Sequence, residues 1–401
     1  MKAHRRLYLE RYAAPETAAA PALAREYESV LVTPAFDEPE DFLARTLPPG
    51  ARDVLVVLVA NVPDRVARTN PAVDRTRRLG GLAGRFDAAR NIDVVVIDRV
   101  ETPIPARLGV GLARRIGADV ALRYIDEGGI ARPVVFCTDA DAALPSGYFD
   151  APREGGEAGA WVYPFAHVSD DPALREAGLG YELSLRYYVN RLAYAGSPYA
   201  FHTIGSCLAI DATAYAMVRG FPKRNAAEDF YLLNKLAKTG SVWRLAHPVI
   251  EIEARASQRV PFGTGPALAR APEALESRMD YAPATFELLR SLYEQASRGT
   301  FTEWPEPIPE LLVAVGYARF RPSRWDRRAF HTWFDALKTL RFVHAARRWF
   351  PDVPLVDSLR SLYPAAAGPR AWNDALRADE QRRRGVVGVA PAGAGDGGLL
   401  K

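Results

Sequence analysis

The sequence predicts an α/β protein in which a mostly parallel sheet is flanked by helices and followed by a helical C-terminal extension. Short, continuous apolar runs alternate with segments of helical periodicity through about the first 270 residues, and helical patterns replace the strands after that point. Continuous apolar strands are typical of a sheet that is covered on both faces.

Five runs are predicted as strands because each is short, apolar and rich in β-branched or aromatic residues. They are SVLVTPAF (29–36), DVLVVLVANV (53–62), NIDVVVIDRV (91–100), PVVFCTDAD (133–141) and FHTIGSCLAI (201–210). Helices are predicted over residues 110–125, 172–195 and 226–240.

These patterns divide the chain into four predicted regions. A helical arm covers residues 1–28, an α/β domain 29–270, a helical C-terminal region 271–385, and a Gly/Ala-rich disordered tail 386–401. In the C-terminal region, FHTWFDALKTLRFVHAARRWF (330–350) places its aromatic and leucine residues on one helical stripe. A packing face is favoured over a membrane surface for this stripe.

Composition excludes several classes of protein. The chain has 401 residues, of which 48% are hydrophobic and 25% charged, and its net charge of +4 is too small to predict a nucleic-acid partner. The surplus of Lys and Arg over Asp and Glu lies in residues 301–401. A solvated basic surface is the favoured interpretation of this surplus, and peripheral membrane contact is the alternative. No run has signal-peptide or membrane-span character, and Cys137 and Cys207 both lie in apolar runs, so a cytoplasmic protein with buried thiols is predicted.

Asp139-Ala140-Asp141 follows the fourth predicted strand directly. Ligands of open α/β sheets bind beyond the carboxyl ends of the strands, so chemistry is expected at this edge. Residues i and i+2 of an extended segment point to the same side, and two carboxylates there suit Mg²⁺ or Mn²⁺. The competing interpretation is an acidic loop closed by the turn residues Pro145-Ser146-Gly147.

Glu228 and Asp229 stand at the start of a predicted helix, after the turn Gly220-Phe221-Pro222. Asp229 is a candidate general base, provided that it lies within hydrogen-bonding reach of the proton it removes. Local features alone favour a capping role, since carboxylates at a helix N-terminus are stabilised by the helix dipole.

Three further features are candidates for ligand contact. Gly205-Ser206 inside a strand pattern indicates either the close approach of another group to the backbone or a simple bulge. Arg259 precedes a glycine-bracketed loop that could close over phosphates or form an ordinary turn. His247 is a candidate third metal ligand beside Asp139 and Asp141.

Taken in order, these segments resemble a family 2-type glycosyltransferase of the GT-A fold, in a soluble bacterial subgroup without transmembrane helices. The resemblance spans about residues 29–270. It rests on VLVTPAFDE, VVLVAN, GVGLARRIGAD, CTDAD, the block from His202 to Leu236, and RVPFGTG. It departs from the family at Asp37, where many members carry Asn, and it lacks the Gln-x-x-Arg-Trp signature of processive synthases.

The resemblance implies an enzyme that transfers a sugar from a nucleotide-sugar donor to an unidentified acceptor, which is a small molecule, a glycan or a lipid-linked molecule. It implies Mg²⁺ or Mn²⁺ at Asp139 and Asp141, and inverting chemistry with Asp229 as the base and Glu228 beside it. The donor-binding residues that it implies are Thr33, Ala35, Asp37, Glu38, Asn61, Arg114, Asp139, Gly205, Ser206 and Arg259. A retaining transferase, a sugar-phosphate nucleotidyltransferase and a non-catalytic sugar-nucleotide-binding protein are the alternatives.

Overall fold

The computed structural model describes residues 2–255, 275–299, 304–317 and 326–389, together with Gly265 and Leu268. Its strands, in chain order, are β1 (Ser29–Ala35), β2 (Val54–Pro63), β3 (Gly84–Asp87), β4 (Ile92–Ile104), β5 (Val134–Cys137), β6 (Ala142–Ala143), β7 (Ala160–Val162), β8 (Phe165–Val168), β9 (Leu208–Asp211), β10 (Val242–Arg244), β11 (Ile250–Glu253), β12 (Met279–Asp280), β13 (Val353–Pro354) and β14 (Gly385–Val387).

The helices are numbered in the same way. They are α1 (Lys2–Arg11), α2 (Glu16–Ala19), α3 (Phe42–Thr46), α4 (Pro71–Arg78), α5 (Gly109–Asp126), α6 (Ala151–Gly155), α7 (Pro172–Tyr194), α8 (Ala212–Met217), α9 (Glu228–Thr239), α10 (Pro283–Ser297), α11 (Ile308–Ala314), α12 (Arg327–Trp333), α13 (Ala336–Ala346), α14 (Leu355–Leu362) and α15 (Pro369–Arg382). None of the described helices has the length and apolar character that crossing a bilayer requires.

The central sheet has the strand order β14-β10-β7-β9-β5-β1-β2-β4-β3. The pairs β1–β2, β2–β4, β1–β5 and β7–β10 are parallel, whereas β3, β9 and β14 run antiparallel to their neighbours. A smaller sheet of β6, β11 and β8 lies beside it. The predicted fold class, a mostly parallel sheet flanked by helices with a helical C-terminal extension, is confirmed.

Helices cover both faces of the sheet, and its inner strands are mostly apolar and almost entirely buried. All seven residues of β1 are buried. Val30 and Val32 belong to a core cluster that includes apolar residues of α5, while Leu31 belongs to a second cluster with Phe42 and Leu43 of α3. Successive side chains of a strand point to opposite faces, so these two clusters are the two sides of one sheet.

Helix α5 packs on β1 at a distance that only glycine permits. A Cβ atom on Gly117 would lie 2.4 Å from Cγ1 of Val32. This close packing fixes the first turns of α5, and therefore Arg114, beside the carboxyl ends of β1 and β5.

The N-terminal arm is tied to the α/β domain by one buried carboxylate. Asp119 on α5 is 0% exposed and accepts hydrogen bonds from the hydroxyls of Tyr8 and Tyr215, each at 2.7 Å, and from the backbone N–H of Ala14 at 2.8 Å. Arg115 lies 3.5 Å from the same carboxylate. The arm is therefore anchored through polar contacts as well as by packing.

The C-terminal helices surround a third core cluster, to which α7 also contributes. A buried polar network joins α7 to α15: Glu182 accepts hydrogen bonds from Arg186, Asn373 and Arg377 at 2.7–3.0 Å. The predicted stripe at 330–350 is divided between two helices, because Asp335 caps α13 by accepting from the N–H of Lys338.

Two predicted boundaries are wrong. Residues 201–207 are not part of a strand, so the fifth predicted strand shortens to β9 and the Gly205-Ser206 pair lies in the turn before it. The tail predicted to begin at 386 starts inside β14, which pairs with β10, and the N–H of Val389 donates to the carbonyl of Ala237 at 2.8 Å. Backbone hydrogen bonds along the edge of the central sheet hold these residues in place.

Candidate active site

A cavity of about 910 Å³ opens at the carboxyl ends of the parallel strands. This volume is at the upper end of the range of ligand-binding pockets. It lies where the chain order of the sheet reverses around β1, which is the expected ligand position in an open α/β sheet. The predicted residues that line it are Glu38, Asn61, Arg114, Asp139, Asp141, Gly205, Glu228 and Asp229.

Four predicted donor-binding residues do not line the cavity. Pro34 of β1 lines it, so the alternation of side chains turns Thr33 and Ala35 to the other face of the strand. Asp37 has a left-handed backbone (φ +61°), and its carboxylate accepts from Nε of Arg75 at 2.5 Å. Ser206 is also absent from the lining and is 2% exposed.

Arg114 is the centre of the charged part of the cavity and is only 2% exposed. Its guanidinium donates to Glu228 Oε1 at 3.1 Å, to Asp139 Oδ1 at 2.8 Å and to the carbonyl oxygen of Gly205 at 3.1 Å. A Cβ on Gly205 would lie 2.5 Å from the guanidinium, so the predicted close approach at this glycine is confirmed. The approaching group is Arg114.

A second arginine, Arg255, contacts the opposite side of the acidic pair. It donates to both carboxylate oxygens of Glu38, at 3.0 and 2.6 Å, and lies 3.5 Å from Asp141 Oδ2. Burial, with the neighbouring Asp139 carboxylate, nevertheless raises the pKa of Asp141 to about 6. The arginine contacts thus leave Asp141 short of stabilising positive charge.

The chemistry of the donor set fits a divalent cation. Asp139 and Asp141 offer hard carboxylate oxygens, and within the described part of the chain no group of three or more His, Cys, Asp or Glu residues could hold a metal. Mg²⁺ needs only one or two protein carboxylates when substrate phosphates and water supply the remaining ligands. A carboxylate pair in which Asp141 is short of stabilising positive charge suits that arrangement.

His247 is not a third ligand, and this prediction is wrong. His247 is exposed, is not among the residues that line the cavity, and precedes β11 by three positions. The other end of β11 reaches the acidic pair, because the N–H of Glu253 donates to the carbonyl of Asp141 at 2.8 Å. At about 3.3 Å per residue, the strand separates its two ends by about 10 Å.

Asp229 lies in the first turn of α9 and faces the same cavity. The N-cap residue of α9 is Ala227, which has the left-handed conformation (φ +61°) that a non-glycine residue seldom adopts. Asp229 accepts from the N–H of Phe230 at 2.6 Å. Burial, followed by the adjacent Glu228 carboxylate, raises the pKa of Asp229 to about 7, as suits a general base at neutral pH.

Three further charged residues line the cavity and were not predicted from the sequence: Arg65, Glu253 and Arg255. Arg65 follows β2 by two residues and Arg255 follows β11 by two, so the strand-end rule could have found both. Arg259, which was predicted instead, lies outside the described residues. Cys137 and Cys207 are buried free thiols, as predicted.

Comparisons with known proteins found no matching family model and no matching curated protein. Among solved structures, residues 1–349 of TarS from S. aureus, in complex with UDP-GlcNAc, are 12% identical over 80% of this chain and 92% of that chain, with a TM-score of 0.36. The mannosyltransferase PcManGT from Pyrobaculum calidifontis, in complex with GDP-Man and Mn²⁺, is 18% identical over 95% and 94%, with a TM-score of 0.34. At sequence identities and TM-scores this low, the ligands of these two proteins are not assigned to this chain.

Proposed function

We propose that this protein is a metal-dependent glycosyltransferase that moves a sugar from a nucleotide-diphosphate sugar to an acceptor hydroxyl with inversion. One observation carries the proposal: a single cavity at the carboxyl edge of the sheet brings together Asp139, Asp141, Arg114 and Asp229. These are a carboxylate pair suited to a divalent cation, a buried cation suited to a diphosphate, and a carboxylate with a pKa near 7. The resemblance to family 2 glycosyltransferases supports the same assignment.

In this mechanism Arg114 stabilises the leaving nucleoside diphosphate. The guanidinium is held in place by Glu228 and the carbonyl of Gly205, so its charge is oriented before the reaction begins. Asp139 and Asp141 would hold Mg²⁺ or Mn²⁺, which neutralises negative charge on the diphosphate when it is bound. Glu228 is paired with Arg114, and this leaves Asp229 as the proton acceptor.

Asp229 then removes the proton of the acceptor hydroxyl as that oxygen attacks the anomeric carbon and the bond to the diphosphate breaks. The alternative of a retaining enzyme drew its support from His247 as a third metal ligand, and His247 lies away from the acidic pair. Inversion with a carboxylate base is therefore favoured.

The proposal is tested with a panel of nucleotide sugars, with and without Mn²⁺, in a thermal-shift assay. A ligand that binds only the native state raises its melting temperature, so the donor should raise it with Mn²⁺ and not with EDTA. Asp229→Asn should reduce transfer by roughly 10²- to 10⁴-fold while donor binding is retained. Asp357→Asn, on a side chain that is 61% exposed, is the matched control.

NMR of the product separates inversion from retention by the anomeric configuration. Near-native turnover of Asp229→Asn would show that the base is assigned wrongly. Release of pyrophosphate from a nucleoside triphosphate and a sugar phosphate, without sugar transfer, would instead identify a nucleotidyltransferase.

A further inference from the structure

The cavity has a second, apolar part that the chemistry of sugar transfer does not use. Helix α7 lines this part with Leu185, Tyr188, Val189 and Leu192, which lie on one face at helical spacing. Helix α13 lines it with Ala336, Leu337, Thr339 and Leu340, and the hydroxyl of Thr339 is hydrogen-bonded to that of Tyr293 at 2.9 Å. All of α7 and α13 is described, and none of the residues with which these two helices line the cavity carries a charge.

The charged residues of these helices are held away from the cavity. Arg191 donates to Glu287 at 3.1 Å, and the ammonium of Lys338 lies 5.4 Å from the ring centroid of Trp333. The hydroxyl of Tyr199, another lining residue, donates to the carbonyl of His331 at 2.6 Å. The ring of Tyr199 is therefore available to the cavity, while its hydroxyl is already bonded.

The apolar part is fixed to the helix that carries the candidate base. The side chain of Asn234 on α9 donates to Asp335 at 3.2 Å and accepts from the backbone N–H of Ala336 at 3.0 Å. Lys238, also on α9, forms an ion pair with Asp335. These bonds join α9 to the first turn of α13. They therefore fix the position of Leu340 on α13 relative to the carboxylate of Asp229 on α9.

We propose that the acceptor is a molecule with an apolar body and a hydroxyl group, rather than a saccharide. This inference rests on the glycosyltransferase function proposed above. Its apolar body packs between α7 and α13 and its hydroxyl points to Asp229. A saccharide would place many hydroxyls against leucine, valine and tyrosine rings, where each unpaired hydroxyl loses its hydrogen bonds to water. An apolar body gains free energy from the same surface because it leaves water.

The experiment combines three acceptors with two variants and Mn²⁺ plus the donor found above. The acceptors are 4-methylumbelliferone as an aromatic alcohol, decanol as a long-chain alcohol, and a methyl glycoside as a saccharide. The two variants are Leu340→Asp, which places a charge in the apolar wall, and Val313→Asp, which places the same charge on a residue that is 58% exposed. Transfer is measured by product formation, and binding of 4-methylumbelliferone by its fluorescence.

We expect at least one of the two alcohols to be glycosylated at least tenfold faster than the methyl glycoside, and the preferred one distinguishes a ring from a chain. Leu340→Asp should weaken binding of 4-methylumbelliferone by roughly 10- to 100-fold, while its donor-induced thermal shift equals that of the wild type. Val313→Asp should behave as the wild type. The thermal shift also reports folding of the Leu340 variant, for which Leu340→Ala is the milder substitute.

The outcomes separate this inference from the function on which it rests. If no nucleotide sugar binds to the wild type, the proposed function fails and the acceptor assignment fails with it. If the donor binds but the glycoside is the better acceptor, or Leu340→Asp binds the probe as well as the wild type does, only the apolar acceptor is refuted.

Discussion

Arg114→Met tests whether one buried guanidinium holds the charged part of the cavity together. Methionine keeps much of the volume and removes the charge, so Glu228, which is 4% exposed, loses its ion-pair partner. Removing one partner of a buried ion pair costs about 3–5 kcal/mol of folding stability. Loss of the ion pair between Arg114 and Asp139, whose side chain is 34% exposed, adds about 1 kcal/mol or less to this cost. We expect the free energy of unfolding to fall by about 4 kcal/mol.

The assay is urea unfolding followed by circular dichroism, with a second variant that separates charge from packing. Arg114→Met/Glu228→Gln removes the unpaired carboxylate and should recover about half of the loss. Arg52→Met, at an exposed arginine with one hydrogen bond to a backbone carbonyl, should change the free energy of unfolding by about 0.5 kcal/mol or less. A loss below about 1 kcal/mol, or a double variant no more stable than Arg114→Met, would refute the account of this network.

Three other predictions concern the base, a turn and the arm. Because burial and a neighbouring carboxylate raise the pKa of Asp229 to about 7 and the base acts when deprotonated, kcat/KM measured from pH 5 to 9 should rise through about pH 7; a flat profile would contradict this. Gly220→Ala should destabilise the folded protein by more than about 1 kcal/mol in thermal unfolding, since φ at this residue is +66° and a Cβ would lie 2.4 Å from the Tyr8 hydroxyl. Gly81→Ala, where a Cβ would meet open space, should leave the stability unchanged. Asp119→Leu should make the arm sensitive to limited proteolysis, which an arm held by packing alone would not show.

The acidic centre of the site was predictable because strand ends obey a simple rule. Apolar runs that stop at carboxylates must bring them to one edge of a parallel sheet, and this placed Asp139 and Asp141 at the cavity. The role of Asp229 was harder to predict from the sequence, since a carboxylate in the first turn of a helix is equally well explained by its interaction with the helix dipole. Its raised pKa depends on burial and on Glu228, which only the folded chain defines.

Other parts depend on information that a linear pattern does not contain. The direction of Thr33 follows from which face of β1 meets the cavity, and Asp37 is turned away by its left-handed backbone. Leu185 and Leu340 have the spacing of core residues, and only the folded chain shows that they line a cavity. The edge strand β14 has three residues, and its partner β10 is far away in the sequence.

The position of β14 has a consequence for the order in which the chain is made. Its partner β10 leaves the ribosome about 140 residues earlier, and until β14 follows, one edge of the central sheet presents unpaired N–H and C=O groups. At about 5–20 residues per second, that interval lasts roughly 7–30 seconds for every molecule synthesised. The chain must be translated through residue 387 before this edge closes, so premature termination ahead of residue 385 leaves a sheet edge with unpaired backbone groups that a neighbouring nascent chain can join.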